Sequence, residues 1–356
     1  MRKTLKTTTD SKKKLSKTKP IHVWYFWEGP KSITVEFCIQ NWMTVLGRSK
    51  YTFEIHEINN GNVGDWINTK NIPCTRQNDR NLSALKSDFI RLALLEKYGG
   101  LYMDASVVMT ASPDWLIKEV ERGWTFQAFF NPDNMLYGET LPVMESSVLF
   151  ASKPNHPLVK MWLHSMLDLK CNNKGRLAWL DKNIKDKGVR MQANLEYEYH
   201  LVYHALQMVF EKIKPFSKFK GVKLYNTVTY GFFTWNNSQE LFTTAFQPKK
   251  AKEYPSHFLK LIKSDRDHTD SLLTHGDINK NSFLGILLLQ NGSVHKSMRY
   301  VRPQKYKPFT MKCTRSTIPT QPGDLFKTYL DCIPCKGKAC TVKKKKNLKS
   351  KSKSSS

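Results

Sequence analysis

The stretch from Ser83 to Asp104 constrains the fold more than any other part of the chain. Leu85, Phe89, Leu92 and Leu94 or Leu95 recur at three- and four-residue steps, which predicts a helix with one apolar stripe beginning near Ser83. Gly99-Gly100 ends it, and Leu101-Tyr102-Met103 reads as a brief buried strand. Asp104-Ala105-Ser106 then falls where that strand stops, followed by Val107-Val108-Met109. In an open α/β sheet, a carboxylate just beyond a strand's C-terminal end faces the crevice where ligands bind. Asp88 and Arg91 are three apart and so share a helix face. In a helix this apolar, leading into a Gly-Gly turn, a surface ion pair is the weaker reading of that couple.

The preceding residues supply the rest of an α/β opening. Ile21 to Trp27 is an apolar, aromatic run with strand preference, stopped by Glu28-Gly29-Pro30. Val35, Cys38, Ile39, Trp42, Val45 and Leu46 mark a helical face, with Ser32 suited to cap its start and Gly47 its end. Phe53-Glu54-Ile55-His56 alternates as a strand does. Strand, helix and strand in this order predict a crossover connection in an α/β sheet.

Charge is unevenly placed. Of a formal +27, residues 1–19 carry eight Lys/Arg and one Asp, and residues 341–356 carry seven Lys and no acid. Both ends are rich in Lys, Ser and Thr and poor in apolar residues, so they are expected to form disordered basic tails. Such runs bind nucleic acid or anionic membrane nonspecifically, or act as solubilising tails. No window approaches the roughly 18 uninterrupted apolar residues of a membrane span, and Phe283 to Leu289 is far too short. The N-terminus lacks the apolar segment of a secretory signal, so a soluble, cytoplasmic protein is the expectation. The seven cysteines are Cys38, Cys74, Cys171, Cys313, Cys332, Cys335 and Cys340. Their odd number and the cytoplasmic reading argue against a disulfide framework. Cys313, Cys332, Cys335 and Cys340 are either four thiolates for a small zinc site or unpaired thiols in a loop-rich segment.

Ser87-Asp88-Phe89-Ile90-Arg91 followed by Leu94-Leu95-Glu96-Lys97-Tyr98-Gly99-Gly100-Leu101-Tyr102-Met103-Asp104 resembles the signature of glycosyltransferases with the DxD sugar-binding region. The nearest branch is the capsular polysaccharide synthesis group, related to yeast initiating mannosyltransferases and the glucosyltransferase domains of clostridial toxins. Pro20-Ile21-His22 through Trp27-Glu28-Gly29 resembles the family's opening strand. Pro142 to Ser146 through Ala151-Ser152-Lys153 resembles its central segment, and Phe258-Leu259-Lys260-Leu261 echoes a late motif. The likeness is good over about residues 20–165 and thin beyond.

The resemblance implies a GT-A fold, a mixed central α/β sheet flanked by helices around a nucleotide-sugar cleft. It implies Mn²⁺ or Mg²⁺, a nucleotide-sugar donor such as a UDP-sugar, and a glycan, polysaccharide or glycolipid acceptor. The chain then divides into a tail (1–19), the transferase domain (20–312), a Cys-containing segment (313–340) and a second tail (341–356). Position by position, Asp104 becomes the metal ligand and Ser106 stands where a second carboxylate is usual. Asp88 accepts from donor-sugar hydroxyls and Arg91 pairs with phosphate or sugar oxygens. Trp27 stacks on the nucleobase, or is a core aromatic at a strand end, and Tyr102 lies beside the donor, or is a buried tyrosine of a short strand. Most members of the resembled families retain anomeric configuration, and retention is the expectation here.

Weaker candidates are Glu145, the pair His200 and His204, and His257, His268 or His275 as a late cleft residue. His-Leu-Val-Tyr-His lacks the glutamate of a zinc-protease helix. No Walker A loop, G-x-G-x-x-G or G-x-S-x-G is present, which removes the simple kinase, dinucleotide and serine-hydrolase readings. The alternatives to an active transferase are a basic nucleic-acid-binding protein and a catalytically degenerate GT-A fold used for binding. With a transferase, no specific nucleic-acid partner is expected, and the tails offer peripheral contact to an anionic membrane.

Overall fold

A computed structural model describes residues 19–75, 82–130, 144–189, 198–213, 220–227 and 257–275, with Asn279 and Ser282. Strand β1 (Ile21–Phe26), helix α1 (Ile33–Leu46) and strand β2 (Phe53–Ile58) form the expected crossover unit. β1 and β2 pair in parallel from Ile21↔Phe53 to Phe26↔Ile58. The Ser32 hydroxyl accepts from the Val35 N–H at the start of α1. Gly47 caps the far end in a right-handed conformation (φ −63°), so its lack of a side chain is not what ends the helix.

After the short helix α2 (Val63–Trp66), helix α3 (Ser83–Tyr98) returns the chain to strand β3 (Gly100–Met103), which pairs parallel to the other side of β1. The Gly99-Gly100 junction is a backbone requirement. Gly100 sits at φ +98°, and a Cβ there would lie 2.4 Å from the His22 carbonyl oxygen. Strand β4 (Val107–Met109) and helix α4 (Asp114–Glu121) follow, then strands β5 (Phe126–Phe130) and β6 (Met144–Ala151). Helices α5 (Pro157–His164), α6 (Asn173–Leu180) and α7 (Leu201–Lys212) lead to strand β7 (Val222–Asn226). Strand β8 (Phe258–Lys260) and helix α8 (Lys263–His275) are the last described elements.

The main sheet has the order β2-β1-β3-β6-β5-β7. β1–β2, β1–β3 and β5–β7 are parallel, whereas β3–β6 and β5–β6 are antiparallel. It is the mixed sheet flanked by helices that was expected. Period-two alternation sends Trp24, Phe26 and Tyr102 to one face, where they pack with Phe89, Leu92, Trp162 and Phe210. Val23, Tyr25, Leu101 and Met103 go to the other, with Trp42, Phe150 and Phe258. β4 leaves the main sheet to pair antiparallel with β8. α1 holds that ribbon through Trp42 Nε1, which donates to the Val107 carbonyl (2.7 Å), and through reciprocal bonds between Asn41 and Met109. The N–H and hydroxyl of Thr34 both donate to Asp270 Oδ1, tying α1 to α8 across 236 residues.

One expectation is corrected. Cys74 and Cys171 form a disulfide with Cα atoms 5.5 Å apart and a sequence separation of 97. The odd count hid it, because pairing is decided by which side chains the fold brings together and not by parity. Cys38 is buried and free. Cys313, Cys332, Cys335 and Cys340 lie outside the described residues, as do residues 1–18 and 341–356. Among the described residues, no helix is long and apolar enough to cross a membrane.

Candidate active site

Asp104 leaves the end of β3 with its backbone N–H bonded to the Ser147 carbonyl of β6 (2.8 Å). Its carboxylate meets two cations. Oδ1 lies 3.2 Å from Arg91 Nη2, and Oδ2 is in direct contact with Lys260 Nζ. Lys260 arrives on β8, which places it opposite Val107 and within reach of the strand end.

Arg91 is the hub. On α3 it pairs with Asp88 through Nη2 (3.1 Å), as the i,i+3 spacing predicted. Nη1 donates to the carbonyl (2.7 Å) and hydroxyl (2.6 Å) of Ser146, while Nε and Nη2 donate to the carbonyl and hydroxyl of Ser87. The guanidinium carbon stands 5.0 Å from the Tyr102 ring centroid, and the Tyr102 hydroxyl shares a 2.8 Å hydrogen bond with Ser87. A planar five-donor cation suits this many fixed acceptors, which a lysine would not reach. Behind the cluster, the Tyr203 hydroxyl of α7 donates to Glu145 Oε2 (3.3 Å) and accepts from the N–H and hydroxyl of Ser146 (3.5 and 3.4 Å).

The charges in this pocket follow from burial and neighbours. Burial pushes Asp88 up to about 7; Arg91 opposes the shift and Asp104 adds to it. Burial also acts upward on Asp104, but Lys260 and Arg91 outweigh it and hold the carboxyl below its ordinary range. Burial raises Glu145 against the Tyr203 hydrogen bond, and lowers Lys260 against the pull of Asp104. With Arg91, Lys260 and an ionised Asp104, the cluster swings between neutral and about +1 as Asp88 takes up a proton near pH 7.

The structure thus brings Asp88, Arg91, Tyr102 and Asp104 into one bonded group. Ser106 is buried next to it, its carbonyl accepting from the Leu261 N–H (2.9 Å), so the Ser106 backbone helps seat the strand that carries Lys260. Trp27 stands apart at the end of β1, partly buried, its indole N–H donating to the Pro30 carbonyl (3.2 Å). The next residue, Glu28, is tied to α3 by Lys86 Nζ (3.0 Å) and the Ser83 hydroxyl (2.5 Å). Of the late histidines, His257 stacks on Trp115 at 4.4 Å and burial holds it unprotonated down to about 3, while His275 lies exposed on α8 against Ser271. The late residue that reaches Asp104 is Lys260. Its signal was the Phe258-Leu259-Lys260-Leu261 run, noted as a motif but with no role given to its lysine. Ser87 and Ser146 stood within the quoted motifs and Tyr203 between His200 and His204, with no role given to any of the three.

The profile of the capsular polysaccharide synthesis protein family matches residues 1–177. That segment, just under half of the chain, is similar to this family. The matched segment contains the whole run from β1 to Asp104, and the capsular polysaccharide synthesis segment stops before Lys260. No curated protein matches the chain in sequence. Solved structures that match the chain include three glycosyltransferases. A glycosyltransferase involved in the glycosylation of the major capsid of PBCV-1 is 11% identical, with a TM-score of 0.35 over 71% of this chain and 100% of its own. The galactosyltransferase LgtC is 13% identical (TM-score 0.38; 77% and 96% covered). The UDP-bound glycosyltransferase domain of the YGT toxin is 10% identical (TM-score 0.32; 77% and 94%).

Proposed function

We propose that the protein is a glycosyltransferase that moves a sugar from a nucleotide donor, a UDP-sugar, to a glycan hydroxyl with retention of anomeric configuration. The observation that carries this reading is the buried Asp88–Arg91–Asp104–Lys260 cluster at the end of β3. In the reaction the bond from the anomeric carbon to the diphosphate oxygen breaks, and the leaving diphosphate takes the electron pair. A new bond forms from the acceptor oxygen to that carbon, and the acceptor proton passes to the leaving phosphate oxygen. Arg91 and Lys260 supply fixed positive charge where that anion develops, which in a water-poor pocket is worth far more than in bulk water. Ionised Asp88 accepts from hydroxyls of the donor sugar, and Trp27 offers an aromatic face to the base.

A divalent ion fits the same corner. Asp104 Oδ2, which contacts the Lys260 ammonium, is a hard oxygen of the kind such an ion takes, and an ion shared with substrate phosphates needs only one or two protein carboxylates. Asp104, with the Ser106 hydroxyl, would hold Mn²⁺ or Mg²⁺. Such an ion supplies Lewis-acid neutralisation of the diphosphate.

The test is a panel of nucleotide sugars with Mn²⁺ or with EDTA, reading released nucleoside diphosphate. Turnover of one donor is expected, lost with EDTA and lowered at least about 100-fold in Asp104→Asn. Turnover that survives in Asp104→Asn would sink the assignment. Turnover that resists EDTA yet disappears in Lys260→Met would move the cation's role to the lysine. The pH profile gives a second check. Because the carboxyl of Asp88 sits near 7 and acts when ionised, kcat/KM should rise with pH through about 7. In Asp88→Asn this ascending limb should vanish along with most of the activity; a limb unchanged in the variant would assign it to another group.

A further inference from the structure

A second constellation of ligands stands at the opposite end of the sheet from Asp104. The parallel register sets His22 against Glu54 and Trp24 against His56, and alternation puts all four on one face of β1 and β2. Val23 pairs with Leu101, so His22 lies level with Gly100, four residues before Asp104 on β3. At ~3.3 Å per residue, the two places are separated by about 13 Å along the strand.

Three atoms converge there. His22 Nδ1 is 2.9 Å from His56 Nε2, and Glu54 Oε2 is 3.7 Å from the first and 3.6 Å from the second, giving a triangle whose circumscribed circle has a radius of about 2.0 Å. Zinc bonds imidazole nitrogen and carboxylate oxygen at roughly 2.0–2.2 Å. A cation at or just above the centre of that triangle would stand at bonding distance from all three atoms, replacing the proton that His22 and His56 share. Among the described residues, no other group of three His, Cys, Asp or Glu offers atoms so close together.

The rings are held in place by packing rather than by each other alone. His56 stacks on Trp24 with centroids 4.4 Å apart and meets the edge of Trp66 at 4.8 Å. His22 sits 4.9 Å from Trp24, whose indole N–H is anchored on the Gly99 carbonyl (2.8 Å). Burial lowers His56 below the ordinary imidazole value, with Glu54 opposing, which leaves its lone pair available at neutral pH. Glu54 is half exposed and His22 a third exposed, so an ion can enter from solvent and keep a fourth position for water. Two imidazoles and one carboxylate select a zinc-class transition metal over Mg²⁺ or Ca²⁺, which prefer all-oxygen shells.

We propose that His22, Glu54 and His56 form a transition-metal site of the Zn²⁺ class that staples β1 to β2, separate from the Asp104 cluster. The experiment is titration of the full chain, freed of metal by chelation and dialysis and without nucleotide, with Zn²⁺ and with Co²⁺ as a spectroscopic probe. One equivalent is expected to bind with no thiolate-to-cobalt charge-transfer band. Affinity should fall at least about tenfold in Glu54→Gln and the equivalent should be lost in His22→Gln, while Asp104→Asn retains it. Zn²⁺ should raise the thermal midpoint of the wild type and leave His22→Gln unmoved. Absence of binding, or binding unaffected by His22→Gln, would show that the three side chains form a hydrogen-bonded cluster and nothing more. An equivalent that disappears in Asp104→Asn, or that shows thiolate bands, would place the metal elsewhere and equally overturn the proposal.

Discussion

Replacing Arg91 with Met is expected to cost about 3–5 kcal/mol of folding stability and to remove donor turnover. The guanidinium joins α3 to the carbonyl and hydroxyl of Ser146 and to both Asp88 and Asp104. Methionine keeps an unbranched stem but stops two atoms short of the guanidinium nitrogens, so a small cavity adds to the loss. The larger part would come from Asp88 and Asp104, left in a buried site with one of their two cations gone. Asp104 would keep Lys260, whereas Asp88 has no second ion pair in this group and should go neutral. Urea denaturation followed by circular dichroism reads the cost directly. Arg91→Lys retains the charge but not the fork of donors, and should recover part of the stability while turnover stays at least about 100-fold down. A loss below about 1 kcal/mol in Arg91→Met would mean that the ion pairs are not coupled to folding as the geometry requires.

The disulfide should have an effect of similar size. Closing a loop between residues 97 apart removes conformational freedom from the unfolded chain. In the chain-entropy account, a loop near 100 residues is worth about 4–5 kcal/mol. The bridge links the segment before α3 to the segment after α5, so the constraint spans α3, β3 and Asp104. The urea midpoint of the wild type should fall on adding reductant. Cys171→Ser should start at the lowered midpoint and show no response to reductant. A wild-type midpoint indifferent to reductant would contradict this.

What could be read in advance, and what could not, divides along sequence distance. The helix from Ser83, the Gly-Gly stop, the short strand and Asp104 at its end were all legible, because each rests on neighbours within a few residues. Asp88 and Arg91 were legible as a pair for the same reason, the three-residue step of a helix. The partners that complete the site come from far along the chain. Ser146 stands 55 residues beyond Arg91, and Lys260 stands 156 beyond Asp104. No local periodicity reports such contacts; only the mixed sheet and the β4–β8 ribbon bring them together. Cys74 and Cys171 escaped on the same ground, and the Glu28–Lys86 pair, 58 residues apart, likewise. The three atoms around Glu54 needed the register of two strands, which a pattern of strand-forming residues does not specify.

The arrival of Lys260 from β8 also sets a clock on biosynthesis. At ~5–20 residues per second, a ribosome needs roughly 8–30 s to travel from Asp104 to Lys260, 156 residues later. For that interval the nascent chain can assemble β1, β2 and β3, yet Asp104 has only Arg91 beside it and β4 presents an open edge without β8. Thr34 waits longer still, since its acceptor Asp270 emerges 236 residues after it. A chain halted anywhere in this window is a folded half with an acidic, unsealed corner, and the positive charge that Lys260 brings to Asp104 arrives only when β8 and α8 dock.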